Sequence, residues 1–477
     1  MDNQKKLSEE KRVSRNTKIV NKVVIIILAL AVVFYIALSL FFTNHYYIGT
    51  KINEEAYSAK SPSAVTKEFI QSIEDYDLVI TGRDEVVNHI LGKDIDLKYQ
   101  ESDTLETIAK EQNGWLWFTA FFKNHEYEYE KATIFDEVKL QTEIEKCTFM
   151  EAKNSKQPKD AYISEYQEKE GYTIIPEVEG SIVDKEKVRK EIIDAVGSAE
   201  DELDLNEADC YKKPKLTKES AELVKNCERL NSYINVTITY DFEIAEEVVD
   251  RNQIKDWLVY SNTEADFDAE KVREYVNATA RKYDTFGKNR KFVTMSGNEV
   301  ELLSGGYGWR VDRAAETEQL ITDIKAGKDI KREMIYVSKG YVRKDNGEGG
   351  VDDIGDTYVE INLGEQHLYV VKDKEVIEES DFVSGKIING NGTPPGVFGI
   401  TYKERNATLK GASYESHVNY WMPFNGNIGM HDATWRKEFG GKIYITNGSH
   451  GCVNLPIKKA ENIYELVEKG MPVVCYY

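Results

Sequence analysis

The chain has 477 residues, 41% of them hydrophobic and 30% charged, with only 9 Pro and 32 Gly. That length predicts about three folded units, and the apolar content is enough for real cores and excludes wholesale disorder. Lys and Arg number 62 against 83 Asp and Glu, a net charge of -21, which disfavours a nucleic-acid partner held by counterion release. Cysteines at 147, 210, 227, 452 and 475 are too scattered for a disulfide scaffold and include no CxxC pair of zinc-site spacing.

Residues 23–42 read VVIIILALAVVFYIALSLFF, without a single charge. At ~1.5 Å per residue such a helix covers the ~30 Å hydrocarbon core of a bilayer, and a buried core helix of that length would carry a polar face. The stretch is therefore predicted to be a transmembrane helix. No A-x-A-like site follows it, since Ser39-Leu40-Phe41-Phe42 runs on into Thr43-Asn44-His45, so the anchor is expected to stay uncleaved. Ahead of it, Lys5, Lys6, Lys11, Arg12, Arg15, Lys18 and Lys22 outweigh Asp2, Glu9 and Glu10. The positive-inside rule then makes residues 1–22 a cytoplasmic tail and everything after the span extracytoplasmic, in a single-pass protein of the cell membrane. Tyr46 and Tyr47 are expected in the outer interfacial belt.

From residue 43 to 343 the chain alternates amphipathic stretches with short apolar runs, predicting a first α+β stalk region over 43–170 and a second over 171–343. One pattern recurs 128 residues apart. Gly180, Val183 and Asp184 followed by Val188, Ile192, Val196 and Gly197 are echoed by Gly308, Val311 and Asp312 followed by Leu320, Ile324 and Gly327. Each reads as a strand end, an Asp N-cap, a helix with one apolar face, and a closing Gly. A weaker relative begins near Ile52, with a helix expected over 64–73. The pattern resembles the peptidoglycan-binding-like repeats that precede the catalytic domain of some Gram-positive wall enzymes. Cys210 and Cys227 read either as core thiols or as a bridge. Residues 344–356 (KDNGEGGVDDIGD) are polar and Gly-rich and read as a linker.

Beyond the linker, 357–477 is expected to be a β-rich domain. Runs at 358–363 and 367–371, a turn at Lys372-Asp373-Lys374 and a third run to Val383 predict a strand meander. Two prolines in Gly392-Thr393-Pro394-Pro395-Gly396 exclude helix and central strand there. A helix face of Ala460, Ile463, Tyr464 and Val467 precedes a last strand that buries Cys475.

The chemistry concentrates in Ser449-His450-Gly451-Cys452-Val453-Asn454, with His431-Asp432 upstream and 17 residues between His431 and Ser449. A thiol of pKa ~8.5 is only a few per cent thiolate at neutral pH, so a nucleophilic cysteine needs a proton acceptor, and an imidazole within hydrogen-bond reach supplies one. Gly451 lets a substrate carbonyl approach the backbone, and the N–H groups of Gly451 and Cys452 are expected to hold a developing oxyanion. His431, His450 and Cys452 could alternatively supply three zinc ligands, but nothing nearby reads as the rest of a metal cage.

This arrangement resembles the signature of the YkuD-type L,D-transpeptidases: a histidine, a gap, then [ST]-H-G-C, an apolar residue and N. Every fixed position matches, with the gap at the long end of the family's range. The Gly392–Gly396 and Tyr420-Trp421-Met422-Pro423-Phe424 segments are similar to that family's as well. The resemblance covers about residues 355–477 and implies a multidomain enzyme without cofactor or metal. Cys452 would attack the third residue of a peptidoglycan tetrapeptide stem, expel the terminal D-Ala and hand the acyl group to a neighbouring stem's amine, leaving a 3→3 crosslink. His431 is then the general base, Asp432 or its backbone carbonyl orients that ring, and His450 shapes the oxyanion pocket. Ser449, Asn454, Tyr420 and Trp421 are expected on the substrate side. Carbapenem-type inhibitors are expected to acylate the cysteine. Two other readings keep the same residues: an L,D-carboxypeptidase, in which water replaces the amine, and a wall-binding scaffold with a vestigial site.

Overall fold

A computed structural model describes residues 2–100, 102–129, 133–151, 153, 155–347, 350–411 and 414–477. The chain forms two units, Met1–Ala161 with Pro176–Lys218, and Tyr162–Ile175 with Glu219–Tyr477.

In the first unit, a helix over Asp2–Phe42 contains the apolar run, and from Arg12 to Phe42 it is long and apolar enough to cross a membrane. Tyr46 and Tyr47, expected at a lipid interface, are instead buried at 0% and 3% exposure. Tyr46 packs in a core with Ile52, Val65, Phe69 and Leu105 and gives its hydroxyl to the Leu105 carbonyl, 2.8 Å away. The chain thus enters folded structure within a few residues of the helix end.

A second core of this unit forms around a three-stranded sheet. Asp77–Thr81 is central, antiparallel to Val87–Leu91 and parallel to Glu202–Asp204. Leu78, Ile80 and Ile90 of the sheet pack on Val188, Ile192 and Val196 of the helix Lys185–Gly197. Asp184 caps that helix as its sequence predicts, accepting from the N–H groups of Glu186 and Lys187. Because Glu202–Asp204 completes a sheet begun at Asp77, residues 176–218 belong to the first unit. The expected border at 170/171 is therefore not where the chain divides.

The second unit repeats the plan. A helix over Ala221–Ile234 leads into Ile238–Asp241, antiparallel to Glu246–Val249 and parallel to Ile330–Arg332. The helix Arg313–Lys325 precedes that last strand, with Asp312 accepting from Ala315 N–H at its start. Sheet order and strand senses are the same as in the first unit, where the helix Pro62–Glu74 occupies the corresponding place before Asp77–Thr81. The 128-residue echo is thus the closing helix and strand of two successive domains of one topology. One detail differs from expectation. Gly327 takes the left-handed turn at φ 69°, but Gly197 stays helical and Ala199 makes the turn at φ 54°.

The presumed linker is also structured. Lys344–Asp345 pairs with Val351–Asp352, and Asp353, 1% exposed, accepts from Arg290 Nε at 2.7 Å, Arg290 Nη2 at 2.6 Å and Thr285 Oγ1 at 2.6 Å. A carboxylate is buried at low cost only when paired in this way, so the polar composition marked an anchor and not a tether.

Two sheets build the C-terminal domain. One has five strands in the order 375–381, 367–372, 358–362, 472–476, 396–399, and the other four in the order 404–411, 414–425, 428–432, 453–455. Between them and the helix Ile457–Leu466 lies a core that includes Val359, Phe382, Met422, Met430, Val453, Ile463 and Cys475. All five cysteines are free and buried.

Candidate active site

Ile428–Asp432 and Val453–Leu455 lie side by side and parallel, with Met430 opposite Val453, His431 opposite Asn454 and Asp432 opposite Leu455. Adjacent parallel strands need a crossover of a dozen residues or more, which accounts physically for the long gap between the histidine and the Ser-His-Gly-Cys run. Side chains alternate along each strand, so Met430 and Val453 enter the core while His431 and Asn454 face a cleft of about 220 Å³. Cys452, Ser449 and His450 line the same cleft, with Trp435 and Arg436 from the crossover and Leu409 and Ser416 from neighbouring strands.

The loop that presents Cys452 is held from behind. Gly451 sits at φ 131°, where a side chain would be strained and a Cβ would stand 3.2 Å from Ile428. Its carbonyl accepts from Thr393 Oγ1 at 2.7 Å, and Ser449 Oγ donates to the Cys452 carbonyl at 2.5 Å. The Gly451 N–H is already given to Ser449 Oγ at 3.0 Å, so the expected pair of oxyanion donors is reduced at this position.

Hydrogen-bond polarity assigns the state of His431. Arg436 Nε, which can only donate, is 2.8 Å from Asn454 Oδ1. That contact turns the amide nitrogen of Asn454 toward His431 Nε2, 3.0 Å away, so Nε2 must be the unprotonated, accepting nitrogen. Nδ1 carries the proton and donates it to the Asp432 carbonyl at 2.8 Å. The Asp432 carboxylate faces away and accepts from Asn419 N–H, Asn419 Nδ2 and Tyr420 N–H. Of the two orienting roles expected for Asp432, the backbone one has the geometry.

The His431 ring is 4% exposed, with the Trp421 indole 5.8 Å and the Trp435 indole 5.9 Å away. Burial holds the imidazole below its ordinary pKa; the Asp432 carbonyl and charge oppose this, and the Arg436 cation adds to it. Burial also pushes the Cys452 thiol up to about 11, with the backbone at Gly429 acting the other way. Both groups are therefore neutral near pH 7, a thiol and an imidazole lining one cleft. The thiol's contact with the Asn427 carbonyl is long, 3.6 Å.

Trp421 lies on the cleft side of its strand, 5.8 Å from the His431 ring, and packs with Cys452 in a small apolar cluster. Tyr420 does not. As the next residue on the strand it points to the opposite face, with Tyr464 at 5.5 Å and the Arg405 guanidinium at 5.2 Å. Trp435 and Arg436 were not singled out from sequence; the signal available was their place in the crossover at the C-terminal ends of two parallel strands. A larger open groove of about 760 Å³, lined by Arg290, Phe292, Asp352, Tyr358 and Lys374 among others, contains no Cys, His or Ser in its lining. Among the described residues no group of three or more His, Cys, Asp or Glu side chains is arranged to hold a metal ion.

Residues 356–475 match the family model of the YkuD L,D-transpeptidase catalytic domain, and residues 218–331 match a model described as a peptidoglycan binding domain. No curated protein matches the chain. Among solved structures, a cysteine-to-serine variant of Enterococcus faecium L,D-transpeptidase is 38% identical, over 52% of this chain and 98% of that one, with a TM-score of 0.43. The Ldtfm–avibactam carbamoyl enzyme is 37% identical over 54% and 99%, also at TM-score 0.43. The catalytic domain from E. faecium L,D-transpeptidase acylated by ertapenem is 46% identical over 25% and 97%, at TM-score 0.24. With that identity across almost the whole of each relative, and with its 356–475 segment, this chain belongs to the L,D-transpeptidase family with a YkuD-type catalytic domain.

Proposed function

We propose that the protein is a membrane-anchored peptidoglycan L,D-transpeptidase that forms 3→3 crosslinks through a thioester on Cys452. The observation that carries this reading is the pairing of a buried neutral imidazole, its Nδ1–H fixed by the Asp432 carbonyl, with a cysteine in one cleft. In the acylation step His431 Nε2 exchanges its contact with the Asn454 amide for the thiol and takes the Cys452 proton. The sulfur adds to the carbonyl of the third stem residue, and the imidazolium returns the proton to the departing D-Ala amine. In the second half the same nitrogen deprotonates the acceptor amine, which displaces sulfur. The Cys452 N–H is the oxyanion donor in this account, with His450 at the mouth of the pocket, Ser449 bracing the loop and Trp421 and Trp435 forming walls.

Residues 1–22 would lie in the cytoplasm, residues 23–42 in the membrane, and 357–477 would form the catalytic domain outside, reaching stem peptides in the wall. Incubating the full-length protein with a disaccharide-tetrapeptide and weighing the products tests the reaction. The expected product is a dimer lacking one D-Ala. Tripeptide monomer alone would make the enzyme an L,D-carboxypeptidase, and no turnover would favour the scaffold reading.

A further inference from the structure

Gly114–Phe122, GWLWFTAFF, contains no charge, yet most of its large side chains lie outside any core. Trp115, Leu116, Phe118, Phe121 and Phe122 are 49%, 46%, 41%, 63% and 83% exposed. A soluble domain rarely shows so continuous an apolar patch without a partner. The segment is compact, made of 3-10 turns over Gly114–Phe121, with the Asn113 side chain accepting from Trp115 N–H at its start.

Its place in the first unit identifies the partner. The segment packs along the outer end of the apolar helix: the Tyr35 ring is 6.2 Å from both Trp115 and Trp117, and Phe42 is 6.0 Å from Trp117. Tyr35 Oη donates to the Trp115 carbonyl at 2.5 Å. Gly114 permits this approach, since a Cβ there would stand 2.5 Å from the Ser39 carbonyl. Tyr35 precedes Phe42 by seven residues, about 10 Å along a helix axis. If Val23–Phe42 spans the bilayer, the Trp115 ring, beside Tyr35, lies about that far below the outer end of the span, and the Trp117 ring, beside both Tyr35 and Phe42, lies between that depth and the outer end. Ile36, Leu40 and Phe41 of the same end of the helix are exposed as well. A soluble partner would have to enter the same layer.

We infer that residues 114–122 form a second membrane-inserted element, an aromatic wedge seated in the outer leaflet against the anchor helix, with lipid as its occupant. The inference rests on reading the helix as a span. The wedge supplies the interfacial aromatics that Tyr46 and Tyr47 do not, and its turns pair backbone groups locally, Leu116 N–H with the Asn113 carbonyl and Phe122 N–H with the Thr119 carbonyl. It would seat the first domain on the membrane surface instead of leaving it on a tether.

Full-length protein in phosphatidylcholine vesicles, plain or brominated along the acyl chains, tests this through tryptophan emission. The comparison is wild type against the Trp115→Phe/Trp117→Phe double variant, which keeps apolar rings and removes both emitters. The expected result is that bromolipid quenches at least about half of the emission attributable to Trp115 and Trp117. The emission of Trp257, Trp309, Trp421 and Trp435, left in the double variant, should be the same in both lipids. Protein that floats with the vesicles while Trp115 and Trp117 stay unquenched would overturn the wedge and leave the anchor standing. Unquenched emission with a dimeric mass in detergent would assign the patch to a second copy. Failure to float would overturn the anchor and the wedge together.

Discussion

Two of the second unit's buried polar clusters are built differently. In the peptidoglycan-binding-type domain, Glu316 is fully buried and its carboxylate accepts from Arg332 Nη2 at 2.7 Å, Tyr240 Oη at 2.6 Å and Ile335 N–H at 2.7 Å. Arg332 also binds Asp323, which is held in turn by Gln319. Each charge meets its opposite, and the network is closed. In the catalytic domain the cluster is neutral at its centre and loosely terminated: the thiol's contact with the Asn427 carbonyl is long, and the lone pair of His431 is held by an amide that can let go. A closed network stabilises one structure, whereas an open one leaves valence for a substrate.

The largest expected effect separates the two. Cys452→Ala should abolish crosslinking and D-Ala release, a loss of at least about 10³-fold, because no acyl-enzyme can form. Its melting temperature should move little. Glu316→Ala should do the reverse: removing one partner of a buried ion pair costs about 3–5 kcal/mol, read from denaturant unfolding, while kcat/KM per folded molecule is retained. A Glu316→Ala protein of normal stability would break the comparison.

A smaller effect sharpens it. Arg436→Met removes the donor that fixes the Asn454 amide and the cation that disfavours the imidazolium. The His431 pKa should then rise from its depressed value toward that of an ordinary imidazole, ~6.5. Since the base acts when neutral, the acid limb of the kcat/KM profile should move to higher pH, with activity near pH 6 reduced by up to about fourfold and little change at pH 8. An unshifted acid limb would remove Arg436 from the account. The same depressed pKa makes His431 a source of acid lability: the unfolded chain takes up its proton below ~6.5 before the folded one does, so stability should fall as pH drops through that range. The smallest effect belongs to Tyr420→Phe, expected to change kcat/KM by less than about twofold because that ring lies on the far face of its strand.

That Cys452 and His431 share a cleft was legible from sequence because the proposed nucleophile and base must be specific residue types, and their spacing reflects one parallel crossover. The strands at 358–362 and 367–372, expected over 358–363 and 367–371, and the Asp caps at 184 and 312, were legible because they depend on local alternation and local hydrogen bonds. What was missed depends on packing between distant segments. Arg436 matters only because the crossover folds it onto Asn454. Tyr420 and Trp421 are equally aromatic, and only the pairing of Trp421 with His431 tells which one faces the cleft. Asp353 looked like linker until Arg290, 63 residues earlier, was placed beside it. Tyr46 and Tyr47 looked interfacial by distance from the helix, but a core formed by residues far along the chain takes in Tyr46, and Tyr47 is buried against Phe42 and His125.

Peptide mapping by mass spectrometry after treatment with a carbapenem tests the central claim most directly, because it reads the nucleophile itself. The account predicts a single adduct on the full-length protein, located on the peptide that contains Cys452, absent from Cys452→Ala and formed roughly 10²–10⁴-fold more slowly in His431→Ala near neutral pH. An adduct that persists in Cys452→Ala, or one that maps to Cys147, Cys210, Cys227 or Cys475, would contradict it.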